Sequence, residues 1–115
     1  MNLIVLRVAN LDRSRRFYET LGIQFVRERH GTGPEHFAAT VGGVVFELYP
    51  AAEGACTERL RLGFRLACVD TAVAAVRELG IEVVSRSADG PWGRRAVVAD
   101  PDGNRVELTG LTSEG

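Results

Sequence analysis

The chain has 115 residues and a mass of 12.5 kDa, which is the size of one ordinary domain. Hydrophobic residues make up 45% and charged residues 25% of the sequence. This composition excludes a disordered chain, a fibrous repeat and a disulfide-dense scaffold. Fourteen basic and fifteen acidic residues leave a formal net charge of −1, so we expect no nucleic-acid partner.

Membrane and secretion signals are the next features to consider. No apolar run approaches the roughly 20 residues that a membrane-spanning helix needs, so we expect no membrane partner. The first seven residues, Met1 to Arg7, lack the basic start and the long apolar stretch of a secretory signal. We therefore predict a cytoplasmic protein.

The first half of the chain predicts a strand, a helix and three further strands. Residues 3–9 are rich in Val, Ile and Leu and predict the first strand. The helix is predicted over residues 12–21, with Asn10 or Asp12 as its N-cap and Gly22 just after its end. The three strands that follow are predicted over residues 23–28, 35–41 and 44–49.

The second half of the chain repeats this order. Leu21-Gly22-Ile23 recurs as Leu79-Gly80-Ile81, 58 residues later, and such self-similarity indicates an internal repeat. A helix is predicted over residues 71–79 with Asp70 as its N-cap. The strands of this half are predicted over residues 61–67, 81–86, 94–99 and 105–109.

The repeat sets the predicted fold class. We predict an α+β fold of two tandem βαβββ modules that form a curled mixed sheet, with the helices on its outer face. Residues 1–115 are interpreted as a single domain made of the repeats 1–52 and 57–115.

Strand parity predicts where the polar side chains lie, because successive side chains point to opposite faces of a strand. In the first strand Ile4, Leu6 and Val8 form the apolar face, and the closing strands bury their own apolar residues in the same way. If the sheet curls, the opposite faces line one polar cup, although a solvated face gives the same alternation. The predicted members of this cup are Arg7, Glu47, Tyr49, Arg61, Arg65, Arg105 and Glu107.

Cysteines and histidines are few. Cys56 and Cys68 form no metal-binding spacing, and Cys68, at the end of an apolar segment, is predicted to be a small core residue. His30 and His36 are the two histidines, and both are predicted to lie on the surface of a polar hairpin.

Two segments carry a resemblance to a known family. The first segment is Val8-Ala9-Asn10-Leu11-Asp12-Arg13-Ser14-Arg15-Arg16-Phe17-Tyr18-Glu19, and the second is the closing Asp100-Pro101-Asp102-Gly103-Asn104-Arg105-Val106-Glu107-Leu108. Both segments resemble the vicinal oxygen chelate superfamily. This superfamily contains glyoxalase I, bleomycin-resistance proteins and extradiol dioxygenases. The resemblance covers essentially the whole chain and implies paired βαβββ modules.

The resemblance also implies four metal-ligand positions, which fall on Leu3, Glu47, Arg61 and Glu107. Leucine has no lone pair to donate and arginine is permanently cationic, so two of the four positions cannot hold a metal ion. We therefore expect no cofactor and no metal, with a divalent metal on Glu47 and Glu107 as the alternative. Arg61 is predicted to pair with Glu47 or Glu107 in place of the ion.

The resemblance leaves two functions open. The first is a metal-free binding protein for an antibiotic or a metabolite, similar to the drug-binding members of the superfamily, with Trp92 as an aromatic wall beside the arginine-lined cup. The alternative is a metal-dependent lyase, isomerase or dioxygenase in which Glu47 or Glu107 is the general base. A pure interaction module with a degenerate pocket is a third interpretation. The resemblance to short two-module members also implies a homodimer.

Overall fold

The structure is a computed structural model and describes residues 1–111 of the chain. The chain divides into two compact units, Met1–Glu58 and Arg59–Gly115. Residues 112–115 of the second predicted repeat lie outside the described residues. Each unit contains one helix and one four-stranded sheet.

The first unit contains a mixed sheet with one parallel strand pair. Its strands run in the order β1-β4-β3-β2, with β1 parallel to β4 and the other neighbours antiparallel. The elements in chain order are β1 (Leu3–Val8), α1 (Leu11–Glu19), β2 (Val26–Glu28), β3 (His36–Val41) and β4 (Val44–Pro50).

The second unit has the same topology. Its sheet order is β5-β8-β7-β6, and β5 is parallel to β8. The elements are β5 (Arg61–Arg65), α2 (Val69–Glu78), β6 (Val83–Gly90), β7 (Gly93–Ala99) and β8 (Arg105–Gly110). The α+β class and the two tandem βαβββ modules are thus confirmed.

The sequence predicts Asn10 or Asp12 as the N-cap of helix α1, and the helix begins at Leu11, one residue before its predicted start. The side-chain oxygen of Asn10 accepts a hydrogen bond from the backbone N–H of Arg13 at 3.0 Å, so Asn10 is the N-cap. Phe17 and Tyr18 are fully buried, and the ring of Tyr18 meets that of Phe46 edge to face at 5.0 Å. These aromatic contacts fix the helix on one face of the first sheet.

Helix α2 begins earlier than the sequence predicts. Its N-cap is Cys68 rather than Asp70, and Cys68 is exposed, so its prediction as a core residue is wrong. The helix starts at Val69 because this residue packs into the core of the unit, where it is 3% exposed. Asp70 lies in the first turn, and its carboxylate accepts hydrogen bonds from Arg94.

The predicted alternation of the strands is confirmed at their centres. Leu6 and Leu48 in the first unit and Val106 and Leu108 in the second are fully buried. Their neighbours along each strand therefore point to the opposite sheet face. That face carries the polar residues in each unit.

Candidate functional site

The second unit holds an ion-pair cluster centred on Glu107. Strands β5 and β7 flank β8, so side chains from all three strands meet on one face of the sheet. The Nε atom of Arg61 donates to Oε2 of Glu107 at 2.7 Å, and the Nε atom of Arg95 donates to Oε1 at 2.8 Å. Each carboxylate oxygen of Glu107 therefore has its own guanidinium partner.

This arrangement favours the ionised form of Glu107. The hydrogen bond from Arg61, followed by that from Arg95, lowers the pKa of the Glu107 carboxyl below its usual value. One carboxylate between two guanidinium groups leaves a single positive charge on the cluster. The cluster is thus suited to contact an anionic group.

A groove of about 420 Å³ lies beside the cluster within the second unit. Arg95 and Thr109 line the groove together with Trp92, which lies in the two-residue turn between β6 and β7. Gly93 ends this turn with φ +119°, and a Cβ atom there would collide with the carbonyl oxygen of Gly110. The turn therefore requires glycine next to Trp92, whose side chain is left 93% exposed.

Arg94 fastens this turn to helix α2. Its Nε atom donates to both carboxylate oxygens of Asp70 at 3.1 and 3.0 Å, and its Nη1 atom donates to Asp89 at 3.1 Å. The hydrogen bonds from Ser87 and then Arg94 lower the pKa of Asp70. Both strands beside the turn are thereby tied to one helix.

In the first unit, a row of side chains crosses the sheet from β1 to β2. The guanidinium carbon of Arg7 lies 4.9 Å from the centre of the Tyr49 ring. The Tyr49 ring in turn stacks on His36 at 4.1 Å with an interplanar angle of 9°. His36 lies directly opposite Glu28 in the β2–β3 register. His36 is 1% exposed, so its prediction as a surface residue is wrong; the stacked tyrosine covers it.

Two carboxylates and the hydroxyl of Tyr49 surround the Nε2 atom of His36. Oε1 of Glu28 lies 3.3 Å away and Oε2 of Glu47 lies 4.0 Å away. The Nε2 atom of His30 lies 3.5 Å from the same Glu28 oxygen. Two imidazoles and two carboxylates are thus grouped within the first unit.

The two units use equivalent sheet positions in different ways. Ala38 pairs with Glu47, and Val97 pairs with Glu107. His36 and Arg95 each precede these partners by two residues and so occupy matching positions. The first unit thus places a histidine beside its glutamate, whereas the second places an arginine there.

The residues predicted for one cup divide between the two units. Arg7, Glu47 and Tyr49 belong to the first unit, and Arg61, Glu107 and Trp92 belong to the second, where the predicted pairing of Arg61 with Glu107 is confirmed.

Two further predicted residues, Arg65 and Arg105, are exposed, and Arg61 lies opposite Arg105 in the β5–β8 register. The sequence did not predict Arg95 or Glu28 as members of a site, and it did not predict that His36 is buried. Parity along β7 could have placed Arg95 beside Glu107, because it alternates with buried Ala96.

The ligand set implied by the superfamily resemblance does not fit a metal ion here. Leu3 is apolar and 49% exposed. Both oxygens of Glu107 already accept hydrogen bonds from arginines, and one of these is Arg61, a residue at an implied ligand position. A metal ion at these positions would have to displace two guanidinium groups.

The described part of the chain also bears on membrane association. Neither of its helices has the length and the apolar character needed to cross a membrane.

Comparisons with known proteins agree with this architecture. The profile of the Glyoxalase/Bleomycin resistance protein/Dioxygenase superfamily matches residues 1–108. An uncharacterised protein of Mycolicibacterium smegmatis is 35% identical over 105 residues, which are 90% of this chain and 87% of that protein.

Two solved structures from Streptomyces sp. CB03234 are also similar. TnmS3, an antibiotic binding protein, is 27% identical with a TM-score of 0.74, over 97% of this chain and 95% of that chain. A glyoxalase/bleomycin resistance protein is 28% identical with a TM-score of 0.71, over 95% and 99% of the two chains.

Proposed function

The chain belongs to the glyoxalase/bleomycin resistance protein/dioxygenase superfamily, and we propose that it is a small-molecule binding protein whose ligand occupies the Trp92 groove of the second unit. The observation that carries the proposal is the groove itself. Its volume of about 420 Å³ falls within the range of small-molecule sites, roughly 300–1,000 Å³. It joins an exposed aromatic ring to the positively charged Arg61–Glu107–Arg95 cluster.

The chemistry of the groove suggests the class of ligand. An indole that is 93% exposed offers a flat face on which a planar ligand can stack. The net positive charge of the Arg61–Glu107–Arg95 cluster favours an anionic substituent on that ligand. We therefore expect a planar, partly anionic molecule. The antibiotic-binding activity named for TnmS3 supports a small-molecule ligand in general.

Binding in this groove needs no metal, because Arg61 and Arg95 supply the positive charge beside Glu107. The alternative, an enzyme with Glu107 as its general base, has less support than the binding function. A carboxylate whose pKa is lowered by two arginines is a poor general base. Five further contributions to ligand binding stay predictions, namely those of Arg7, Glu47, Tyr49, Arg65 and Arg105.

The test uses the chain's own reporter. Trp92 is the single tryptophan of the sequence, so its emission reports on the groove directly. Aromatic antibiotics and planar aromatic carboxylates are titrated while tryptophan emission is followed, and affinities are then measured by calorimetry. We expect saturable quenching, and a loss of about 2- to 12-fold in affinity for Trp92→Ala, since an aromatic stacking contact contributes roughly 0.5–1.5 kcal/mol.

Arginine variants separate charge from stacking. Arg95→Ala is expected to weaken carboxylate-bearing ligands more than neutral ligands of the same shape. Arg77→Ala removes an exposed arginine of α2 and is the matched control. Unchanged affinity in both Trp92→Ala and Arg95→Ala would show that the ligand does not occupy this groove.

The predicted homodimer and the predicted cytoplasmic location both stay predictions. Light scattering coupled to size-exclusion chromatography tests the homodimer against the monomer mass of 12.5 kDa.

A further inference from the structure

We propose that the β2–β3 hairpin of the first unit binds a divalent transition metal ion through Glu28, His30 and His36. None of these three residues occupies a position that the superfamily resemblance implies for a metal. The proposal also does not depend on the proposed ligand groove, which is built from the second unit alone.

The hairpin brings the three side chains together by simple strand geometry. Glu28 is the last residue of β2 and His36 is the first of β3, and the two are direct cross-strand partners. Side chains of such partners lie on the same face, with Cβ atoms roughly 4.5–5.5 Å apart. The loop folds back through a hydrogen bond from the N–H of Gly33 to the carbonyl of His30 at 3.0 Å, and the His30 ring reaches to 5.1 Å from the His36 ring.

The distances match the edge lengths of a metal coordination shell. Two ligands that each lie about 2.0–2.1 Å from a tetrahedral zinc ion are about 3.3 Å apart. Oε1 of Glu28 lies 3.3 Å from Nε2 of His36 and 3.5 Å from Nε2 of His30. One potential ligand atom from each residue lies within 4.8 Å of the other two, so a small closure of the exposed His30 completes the set.

The hydrogen bonds of His36 point its lone pair at this position. The Nδ1 atom of His36 lies 3.3 Å from the carbonyl oxygen of Pro34, and since a carbonyl only accepts, Nδ1 carries the proton of that bond. The lone pair of Nε2 then faces the carboxylate oxygens of Glu28 and Glu47. A backbone carbonyl is one of the usual partners of the other ring nitrogen of a metal-bound histidine.

The hydroxyl of Tyr49 does not replace a cation at this position. It lies 3.3 Å from Nε2 of His36, but the two rings stack nearly parallel, at 9°. The hydroxyl therefore lies above the imidazole plane, whereas the lone pair of Nε2 points within that plane.

Charge favours a cation in the first unit. Glu28 and Glu47 place two carboxylates beside one buried imidazole. In the second unit Arg95 occupies the position that matches His36 and neutralises Glu107. A proton on Nε2 would also satisfy the two carboxylates, but it would involve His36 alone among the two histidines. A metal ion uses all three side chains.

The donor set indicates the class of metal. Imidazole nitrogens with a carboxylate oxygen suit zinc, nickel, cobalt and ferrous iron, whereas calcium and magnesium prefer oxygen ligands alone. Three protein ligands leave a fourth position for water or for Glu47, whose Oε2 lies 4.0 Å from Nε2 of His36.

The test is calorimetric titration of the full chain, with any affinity tag removed, using Zn²⁺, and absorption spectroscopy using Co²⁺. We expect one ion per chain and the intense visible bands of four-coordinate cobalt. His30→Ala and Glu28→Gln are expected to weaken binding at least about tenfold. His30 is exposed, so its substitution is compatible with folding. His36 is left unchanged because it is buried and its substitution would also affect folding.

Two control variants complete the experiment. Glu35→Gln removes an exposed carboxylate of the β2–β3 loop that is not one of the three proposed ligands. Glu107→Gln removes the carboxylate at a metal-ligand position that the superfamily resemblance implies in the second unit. Both are expected to bind like the wild type. The proposal is overturned if no saturable binding occurs up to about 1 mM metal, if His30→Ala and Glu28→Gln bind unchanged, or if only Glu107→Gln loses the ion. None of these outcomes alters the tryptophan titration, so the two proposals fail separately.

Discussion

Asn104, a residue of the closing motif 100–108, stabilises the structure through buried hydrogen bonds. It is 1% exposed; its Oδ1 atom accepts a hydrogen bond from the N–H of Leu60 at 2.9 Å, and its Nδ2 atom donates to Oδ2 of Asp100 at 3.0 Å. Its own N–H donates to Oδ1 of Asp100 at 2.8 Å. The side chain thus joins the β7–β8 turn to the segment that precedes β5. The motif that carries the family resemblance stabilises the turn before Glu107.

Asn104→Ala should therefore lower the free energy of unfolding by about 2 kcal/mol. The substitution leaves the half-buried N–H of Leu60 and the buried carboxylate of Asp100 without this partner, and an unsatisfied buried polar group costs roughly 1–3 kcal/mol. Urea denaturation measures the change. Asn2→Ala, at an exposed asparagine, is the control and is expected to stay within about 0.5 kcal/mol of the wild type. Equal stability of the two variants would contradict this role for Asn104.

At the scale of elements, the two helices begin with caps of different quality. Asn10 caps α1 through its side-chain oxygen. Cys68 has the same extended backbone at the start of α2, with φ −145° and ψ 110°, but makes no side-chain capping hydrogen bond. Sulfur is a weak acceptor, so the first N–H groups of α2 lack a strong one at this position. The repeat thus shares its backbone geometry without sharing its cap chemistry.

Cys68→Ser is expected to raise the free energy of unfolding by about 0.5–1 kcal/mol, because a serine hydroxyl is a preferred N-cap acceptor. Asn10→Ala, which removes the existing cap, should lower it by about 1 kcal/mol. Both changes are read from urea denaturation midpoints, with Cys56→Ser as the matched control at a half-buried cysteine outside any cap. A Cys68→Ser variant no more stable than Cys56→Ser would refute the capping argument.

The order of the elements could be predicted because the repeat and the strand alternation are local patterns. Strand β6 shows where such patterns fail: it runs to Gly90, whereas the sequence predicted its end at residue 86. Its last residues are polar and suggest a loop, but Ala88 and Asp89 pair with Arg95 and Arg94 across the sheet. Cross-strand pairing outweighs local propensity there.

The candidate sites could be predicted only in part for a related reason. Parity places Arg61 and Glu107 on one face of the second sheet, and their ion pair follows. Burial of His36 depends on the stacked ring of Tyr49, and the approach of His30 depends on the path of a loop. Such tertiary contacts have no period in the sequence, so the histidine cluster emerges only from the structure.

At the scale of the whole molecule, two carboxyl groups of the described residues have clearly lowered pKa values, and both of them, Asp70 and Glu107, lie in the second unit. Arg61 and Arg95 face Glu107. Asp70 is faced by Ser87 and by Arg94, which also binds Asp89. The response of the protein to acid should therefore be governed mainly by the second unit.

The direction of this response follows from linkage between protonation and folding. Each lowered pKa means that the folded state binds fewer protons than the unfolded state. The stabilisation is fully present above the ordinary values, 4.5 for Glu107 and 3.8 for Asp70, and is lost as pH falls through the lower folded values. The Tm should thus be nearly constant from about pH 7 to 5 as far as these two groups are concerned, and should fall below about pH 4.5.

The double variant Asp70→Asn/Glu107→Gln should have a lower Tm at neutral pH but a shallower decline in acid, because its second unit no longer loses these two carboxylates on protonation. Circular dichroism melts from about pH 7 to 3 measure both slopes. Glu53→Gln/Glu58→Gln removes two exposed carboxylates of the first unit and controls for the change in net charge. Parallel Tm curves for the wild type and the Asp70→Asn/Glu107→Gln variant would mean that the acid response originates elsewhere. A shallower curve would assign it to the arginine-bound carboxylates, the same groups that hold the proposed ligand groove in place.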